Sequence, residues 1–475
     1  MNPARPSRRK LATGYALLIG LPVMVLLALL HSGTGLVPSS PIAGSAKPAR
    51  ATASSLDLRQ LVLQIAVILL VSRLTGLLFR RIRQPQVVGE MVAGILLGPS
   101  LFGWLAPGLY AHVFPPASLS YLNALSQVGL ILFMFVVGVT LNHKELGEQG
   151  HAAVITSHAS IVTPFCLGAG LALYLYPRLA PEGVSFTSFG LFMGSAMSIT
   201  AFPVLARILT ERKLTRTRIG TLSIACAAVD DVTGWCILAS IVVVARAGQA
   251  AVPVWMTIAG SLIFVAVMIF GVKRLLSGFK RNFQKHGQLT ENSLALMVVL
   301  AMFSALTTEA LGIHLLFGAF LMGAIMPKDH PLVETVVHRM ESVTVVVLLP
   351  LFFAFSGLRT SIGVVRGNMW FYAALVILIA IAGKFGGSML AARFAGVAWR
   401  EATALGILMN TRGLMELIAL NIGLDIGVIS PTVFTIMVLM ALVTTLMTSP
   451  LLEWIYPARL LVVEDAAIPK RAASG

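Results

Sequence analysis

Asp230 and Asp231 stand side by side in an apolar run, Ala227-Ala228-Val229-Asp230-Asp231-Val232-Thr233-Gly234-Trp235, with no basic residue near them in the chain. On a helix the two side chains diverge by about 100°. Two ionised carboxylates in apolar surroundings need a counter-charge. One source is a fixed base, and Lys384 is the only lysine well inside an apolar run. The other is exchangeable. Burial disfavours the charged form, so a carboxylate bordering an aqueous cavity takes up a proton near neutral pH, or binds a hard monovalent cation through oxygen. Competition of cation and proton for one carboxylate is the minimum chemistry of an exchanger. A structural Asp–Lys bridge is the plainer alternative, and it leaves one of the two acids unpaired.

Two segments elsewhere combine small or polar residues with helix breakers. Gly194-Ser195-Ala196-Met197-Ser198-Ile199-Thr200-Ala201-Phe202-Pro203 lies just before the aspartates, and Pro203 lacks a backbone donor while Ser198 and Thr200 bring hydroxyls. Asn410-Thr411-Arg412-Gly413 sits at comparable depth in the second-last apolar run. Irregular backbone at membrane depth is tolerated only where it lines a cavity or is buried in protein. One interruption in each half of the chain points to inverted repeats with a site where the two breaks cross. Half-helix ends carry partial charges, which Arg412 and Glu416 could neutralise, or the two could pair with each other.

The elements that must position these groups are membrane helices. Of 475 residues, 57% are hydrophobic and 11% charged, with a mean hydropathy of +0.89. That charged share is less than half the roughly 25% of soluble domains, so a soluble enzyme is nearly excluded. Long unbroken apolar runs disfavour a β-barrel. The runs fall near 12–30, 59–79, 86–105, 122–141, 152–176, 186–208, 219–245, 253–272, 293–311, 313–326, 343–358, 369–392, 401–424 and 432–454. Most approach the roughly twenty residues that a bilayer requires. Three cysteines (Cys166, Cys226, Cys236), all in apolar runs, give no disulfide framework.

The formal charge is +16, and its placement matters more than its size. When the connections are numbered alternately, seven of the 35 basic residues (Lys47, Arg50, Arg59, Arg178, Arg246, Arg359, Arg366) lie on one set. Three (Arg73, Lys384, Arg412) lie inside runs, and the remaining 25 lie on the other set. By the positive-inside rule both termini are expected in the cytoplasm. Scattered over short loops, these charges make no contiguous face, so nucleic acid is not an expected partner. The expected organisation is a basic segment, an apolar helix (anchor or signal) and a linker over 1–57, a membrane domain over 58–455, and a cytoplasmic tail over 456–475. With no GxxxxGK[ST] and no GxGxxG in a βαβ context, ATP hydrolysis is not expected, nor is any cofactor.

The remaining intramembrane charges carry structural readings. A charge at the bilayer centre costs at least ~2.5–3.5 kcal/mol. Arg73, near a run's cytoplasmic end, reads as an interfacial anchor. Glu90 could pair with Arg73 or cap a break. Glu309 reads as a surface or mouth residue, and His151, His158 and His314 show no metal-ligand spacing.

Taken together, these residues resemble the second family of monovalent cation:proton antiporters, over roughly 58–455. The marks are Gln84-Pro85-Gln86-Val87-Val88-Gly89-Glu90 followed by Ala93-Gly94-Ile95-Leu96-Leu97-Gly98-Pro99-Ser100, Leu132-Phe133-Met134-Phe135-Val136-Val137-Gly138, Ser198 to Arg207, Val229-Asp230-Asp231, Gly357-Leu358-Arg359-Thr360, Gly383-Lys384 and Thr411-Arg412-Gly413-Leu414-Met415-Glu416-Leu417. The wording around Thr200 and Arg412 is most similar to the branch of plant cation/proton exchangers. The resemblance implies an all-α polytopic membrane protein of about thirteen core helices, inverted repeats with two broken crossing helices, a dimerisation domain, and elevator-like movement of a six-helix core. The run at 12–30 adds a helix to that plan. By motif match Asp231 would bind cation and proton, Asp230 would pair with Lys384 in the proton-bound state, Thr200 would line the crossing, and Arg359 would occupy a basic position of the plant-like branch. A C-terminal nucleotide-binding domain, as in glutathione-gated relatives, is not expected.

The function expected from the sequence is antiport of Na⁺ or K⁺ against H⁺, in a homodimer in the bacterial cell membrane. An aspartate pair favours two protons per cation over one-for-one exchange. A sodium-coupled symporter of an organic anion on the same fold is the alternative. An intramembrane aspartyl protease would need carboxylates facing each other from two helices, which adjacent residues on one helix cannot provide. A passive channel has no use for single-carboxylate competition.

Overall fold

The computed structural model describes residues 8–38, 57–140, 150–212, 214, 217–246, 254–276, 278, 283 and 289–457. Most of the expected linker and the tail from 458 lie outside the described residues. The described residues are helical or loop, with no strand among them. Ten of their helices are long and apolar enough to cross a membrane, and an eleventh crossing is made by a bent pair.

In chain order the first elements are α1 (Arg8–Ser32), α2 (Leu58–Arg81), α3 (Gln86–Leu97), α4 (Leu119–Thr140) and α5 (Gly150–Leu179). The first broken helix follows, α6 (Phe186–Ser198) and α7 (Phe202–Glu211), and then the aspartate helix α8 (Arg218–Arg246). Next come α9 (Val254–Ala266), α10 (Glu291–Ala310), α11 (Leu315–Ala324), α12 (His330–Val343) and α13 (Leu349–Leu358). α14 (Met369–Ile381) and α15 (Gly387–Phe394) precede the second broken helix, α16 (Trp399–Met409) and α17 (Leu414–Asp425), which bends by 42°. α18 (Pro431–Ile455) closes the fold.

One boundary differs from the sequence expectation. The run expected at 343–358 begins at His330, and α12 continues into α13 through wide π-type turns at Thr344–Leu348. Hydropathy averaging hides α12 because it is amphipathic. Leu332, Val336 and Met340 are buried at a spacing of four, and Glu334 and Arg339 occupy intervening positions.

Small residues let the helices approach closely, as bilayer packing requires. A Cβ on Gly357 of α13 would fall 2.1 Å from Gly94 C of α3, and one on Gly323 of α11 would fall 2.1 Å from Phe135 O of α4. The same device clamps α5 on both sides. Gly194 of α6 packs on Phe165, while Gly383 and Gly387 pack on Pro164 and Thr163. α5 is thereby fixed between the first broken helix and the α14–α15 helix that carries Lys384. α1 packs on α5, where Leu29 lies beside Gly170.

Candidate ion-binding site

Both interruptions lie where the sequence places them, and they meet. The chain leaves helix at Ile199–Ala201 and again at Asn410–Gly413. Ala201 N–H donates to Thr411 O at 3.0 Å, which ties one break to the other. From α18, Thr445 Oγ1 accepts from Arg412 N–H (3.0 Å) and donates to Arg412 O (2.7 Å), pinning the second break from behind. Thr411 Oγ1 donates to Leu408 O within its own turn.

A broken helix leaves unsatisfied carbonyls at the end of its first half. Two buried cations answer those of α6. Arg412, fully buried, donates to Ala196 O (3.0 Å) and Met197 O (2.6 Å), and its guanidinium also bonds Glu416 Oε2 at 3.0 Å. Of the two roles the sequence leaves open for Arg412, the structure shows both. Lys384, likewise fully buried, donates to Ser198 O at 2.5 Å. Ser198 thus faces the site with its carbonyl, since its hydroxyl donates to Ser195 O.

Lys384 projects from wide π-type turns, Ala382–Gly386, within the α14–α15 helix. Such widened turns often mark functional positions. Its ammonium lies 2.9 Å from Asp230 Oδ2 and 2.9 Å from Ser160 O. The second contact follows from Pro164, which lacks the N–H that would otherwise bond the carbonyl four residues back. Three hydroxyls complete the Asp230 shell. Ser157 Oγ donates to Oδ1 at 2.6 Å, and Ser160 Oγ and Thr200 Oγ1 lie 2.5 and 2.8 Å from Oδ2.

Asp231 is built differently. It is 5% exposed, and its Oδ1 is buried with no hydrogen-bond partner. The backbone N–H of Phe202, the first residue of α7, is directed at its carboxylate. Beside it lies a cavity of about 10 Å³ lined by Ile199, Asp231, Gly234, Trp235, Leu238 and Met415. That is roughly the space of one water molecule. Trp235 Nε1, in the same lining, also lacks a partner. A larger cavity, about 140 Å³, runs between α4, α12 and Phe202, with Val136, Val137, Thr140 and Thr344 in its wall. Phe202, whose backbone N–H faces Asp231, also lines this larger cavity.

Adjacent in sequence, the two aspartates therefore have opposite surroundings, one with donors at both oxygens and one with a vacant oxygen. Lys384, Thr200, Arg412 and Glu416 gather at the crossing as the sequence suggests. Pro203 is the second residue of α7. Arg359 stands apart from the aspartates, bonding Asn421 Oδ1 (2.9 Å) and Asp425 Oδ1 (2.6 Å) at the end of α17. Glu90 accepts from Gln86 Nε2 at 3.1 Å, and Arg73 donates to Val346 O at 3.2 Å. Glu309 accepts from Leu315 N–H (3.1 Å) and so caps α11.

The model of the transmembrane sodium/hydrogen exchanger family matches residues 65–454. The chain belongs to this family. It is 45% identical over 398 residues to Na(+)/H(+) antiporter NhaS4 of Synechocystis, a match covering 83% of this chain and 96% of that protein. It is 41% identical over 410 residues to Cation/H(+) antiporter 17 of Arabidopsis thaliana and 34% identical over 412 residues to K(+)/H(+) antiporter 1 of Saccharomyces cerevisiae. Those matches cover 85% of this chain in each case, but only 49% and 47% of the plant and yeast proteins, about half their length. The fold is that of the sodium proton antiporter MjNhaP1 of Methanocaldococcus jannaschii at pH 8, with a TM-score of 0.63, 15% identity, and coverage of 85% of this chain and 99% of that one.

Sequence reasoning misses Ser157, Ser160 and Thr445 in this exchanger-family chain. A signal for the first two is present. Ser157-x-x-Ser160-x-x-x-Pro164 puts two hydroxyls on one helix face and frees the carbonyl of Ser160. Nothing in the sequence near Thr445 sets it apart from Thr444 and Thr448.

Proposed function

We propose that this protein is a secondary active antiporter that exchanges Na⁺ or K⁺ for H⁺, with Asp231 as the group for which they compete. The observation that carries this reading is the vacant Oδ1 of Asp231 at the crossing of two broken helices. The other buried charges beside it are paired with each other, Asp230 with Lys384 and Arg412 with Glu416, while Glu416 Oε1 and Arg412 Nε share with Asp231 Oδ1 the lack of a hydrogen-bond partner. A carboxylate with one free oxygen, a backbone N–H at a helix start and room for a water can hold either a proton or a dehydrating cation.

With the site open to the cytoplasm, a cation displaces the proton from Asp231. The larger cavity beside Phe202 supports an inward route, because Thr140 ends α4 on the side expected to be cytoplasmic from the basic loops. The core then moves, protons displace the cation outside, and the proton-loaded core returns. Carrying an empty ionised carboxylate through lipid is costly, so the unloaded transition is slow and leak is suppressed. By the same charge distribution both termini are cytoplasmic. The 58–455 region is its membrane domain, in a homodimer as the family resemblance of the sequence implies. An organic-anion symporter would need a cation free to meet a carboxylate substrate at the crossing, and Arg412 and Lys384 are both engaged.

Everted vesicles loaded with a pH-sensitive dye test the reading. Wild-type protein dissipates an imposed pH gradient on addition of Na⁺ or K⁺, and Asp231→Asn falls to the level of vesicles without the protein. Persistence of the response in that variant would sink the assignment.

A further inference from the structure

The α5 serines assign a division of labour between the two aspartates. A carboxylate offers about four lone-pair sites. On Asp230 one donor reaches Oδ1 (Ser157) and three groups crowd Oδ2 (Ser160, Thr200, Lys384), so both oxygens are engaged. A cation seeking Oδ2 must displace a hydroxyl or the ammonium. Buried donors of this kind are expensive to leave unpaired. Asp231 by contrast has an oxygen with no partner. Displacing Lys384 is costlier still, because the same ammonium caps Ser198 O and the Ser160 carbonyl that Pro164 leaves without a backbone partner.

Both serines sit on a helix held in place by glycine contacts from α6 and from the Lys384 helix. The charged and titratable groups around Asp230 are Asp231 and Cys226 on α8 and Lys384 from the α14–α15 helix. Arg412 and Glu416 from the second break stand next to Lys384. α5 and the first break face it with Ser157, Ser160 and Thr200.

We propose that Ser157 and Ser160 are positioning residues that hold Asp230 closed on Lys384 throughout the exchange cycle, so that cation and proton compete at Asp231 alone and one proton leaves for each cation bound. This rests on the exchanger reading above and deepens it by fixing its coupling. It departs from the two-proton expectation that the aspartate pair raises in the sequence. Two positive charges do not then cross against one, and exchange is electroneutral.

The test measures proton release from purified, weakly buffered protein when NaCl or KCl is added, with choline chloride as control. The slope of log apparent Kd for the cation against pH is taken in parallel. Wild type is expected to release one proton per cation, with a slope of one. In Ser157→Ala/Ser160→Ala, Asp230 loses two donors, joins the competition, and moves both values toward two. Ser160→Thr keeps a hydroxyl and stays at one, which a mere packing role would not require. Two protons from wild type, or a double variant that still releases one, overturns the proposal. If the double variant does not fold, Ser157→Ala decides alone: a value above one supports the proposal, and a value of one overturns it. Wild type that binds cation without releasing any proton overturns the exchanger reading itself. The two failures are therefore distinguishable.

Discussion

At the residue scale, the chemistry depends on giving identical side chains unlike neighbours. Asp230 has donors at both oxygens and Asp231 does not, although one peptide bond separates them. The helical divergence of about 100° per residue makes this possible, because it points one acid at α5 and Lys384 and the other at the start of α7. The Arg412–Glu416 pair shows how such buried charges serve structure. Removing one member of a buried pair leaves the other uncompensated, at a cost of about 3–5 kcal/mol. Arg412→Met also strips two donors from the end of α6. The thermal midpoint of this variant in detergent is expected to fall well below wild type, and adding Glu416→Gln to restore part of the loss. An unchanged midpoint for Arg412→Met would mean that the carbonyls of α6 find other donors.

At the element scale, helix ends are the working parts. Two half-helices meet at each break, and their ends have partners: Arg412 and Lys384 for α6, the Asp231 carboxylate facing the Phe202 N–H for α7, Thr411 Oγ1 donating to Leu408 O for α16, and Glu416 in the first turn of α17. The same logic operates away from the site. Lys328, between α11 and α12, donates to Gly138 O, Val139 O and Gly323 O at 2.7–3.1 Å, where α4 and α11 end. Burial first, and Lys273 second, lower its pKa to about 7. In the unfolded chain the value returns to about 10.4. From pH 7 upward to that value the unfolded state binds more protons than the folded one, so this group adds a term to stability that rises with pH. Below pH 7 both states hold the proton and the term is flat. Thermal midpoints measured from pH 6 to 9 should therefore show a steeper upward slope for wild type than for Lys328→Met. Parallel curves would mean that the buried ammonium keeps its proton across the range.

At the scale of the whole molecule, ties join the helices around the site to the rest at both ends. On the side rich in basic loops, Glu453 of α18 bridges Arg83, in the α2–α3 connection, and Arg212 at the end of α7, at 2.9 and 3.0 Å. On the opposite side Arg359 at the end of α13 holds Asp425 of α17. Exposed ion pairs are weak and screened by salt. They suit contacts that must open and reform as a core slides past its frame. If alternating access uses that movement, a reversible thiol cross-link between cysteines at Arg83 and Glu453, with Cys166, Cys226 and Cys236 replaced, arrests exchange, and reduction restores it. Full activity in the cross-linked protein would place the moving boundary elsewhere.

The sequence by itself determined a great deal here, because a bilayer makes every polar atom conspicuous. Long apolar runs read directly as helices, the two interruptions appeared as clusters of breakers, and Asp230, Asp231, Lys384 and Arg412 stood out by their cost in lipid. α12 escaped because an amphipathic helix averages to a modest hydropathy, Thr445 because a lone hydroxyl is cheap in a membrane helix and carries no signal, and Ser157 and Ser160 because their only signal is the spacing to Pro164. Tertiary structure alone decided that α5 would bring its serines to the carboxylate that Lys384 meets, and that one oxygen of Asp231 would be left over. Those outcomes depend on how helices far apart in the chain are turned toward one another, and that is set by glycine contacts between backbones that no local pattern encodes.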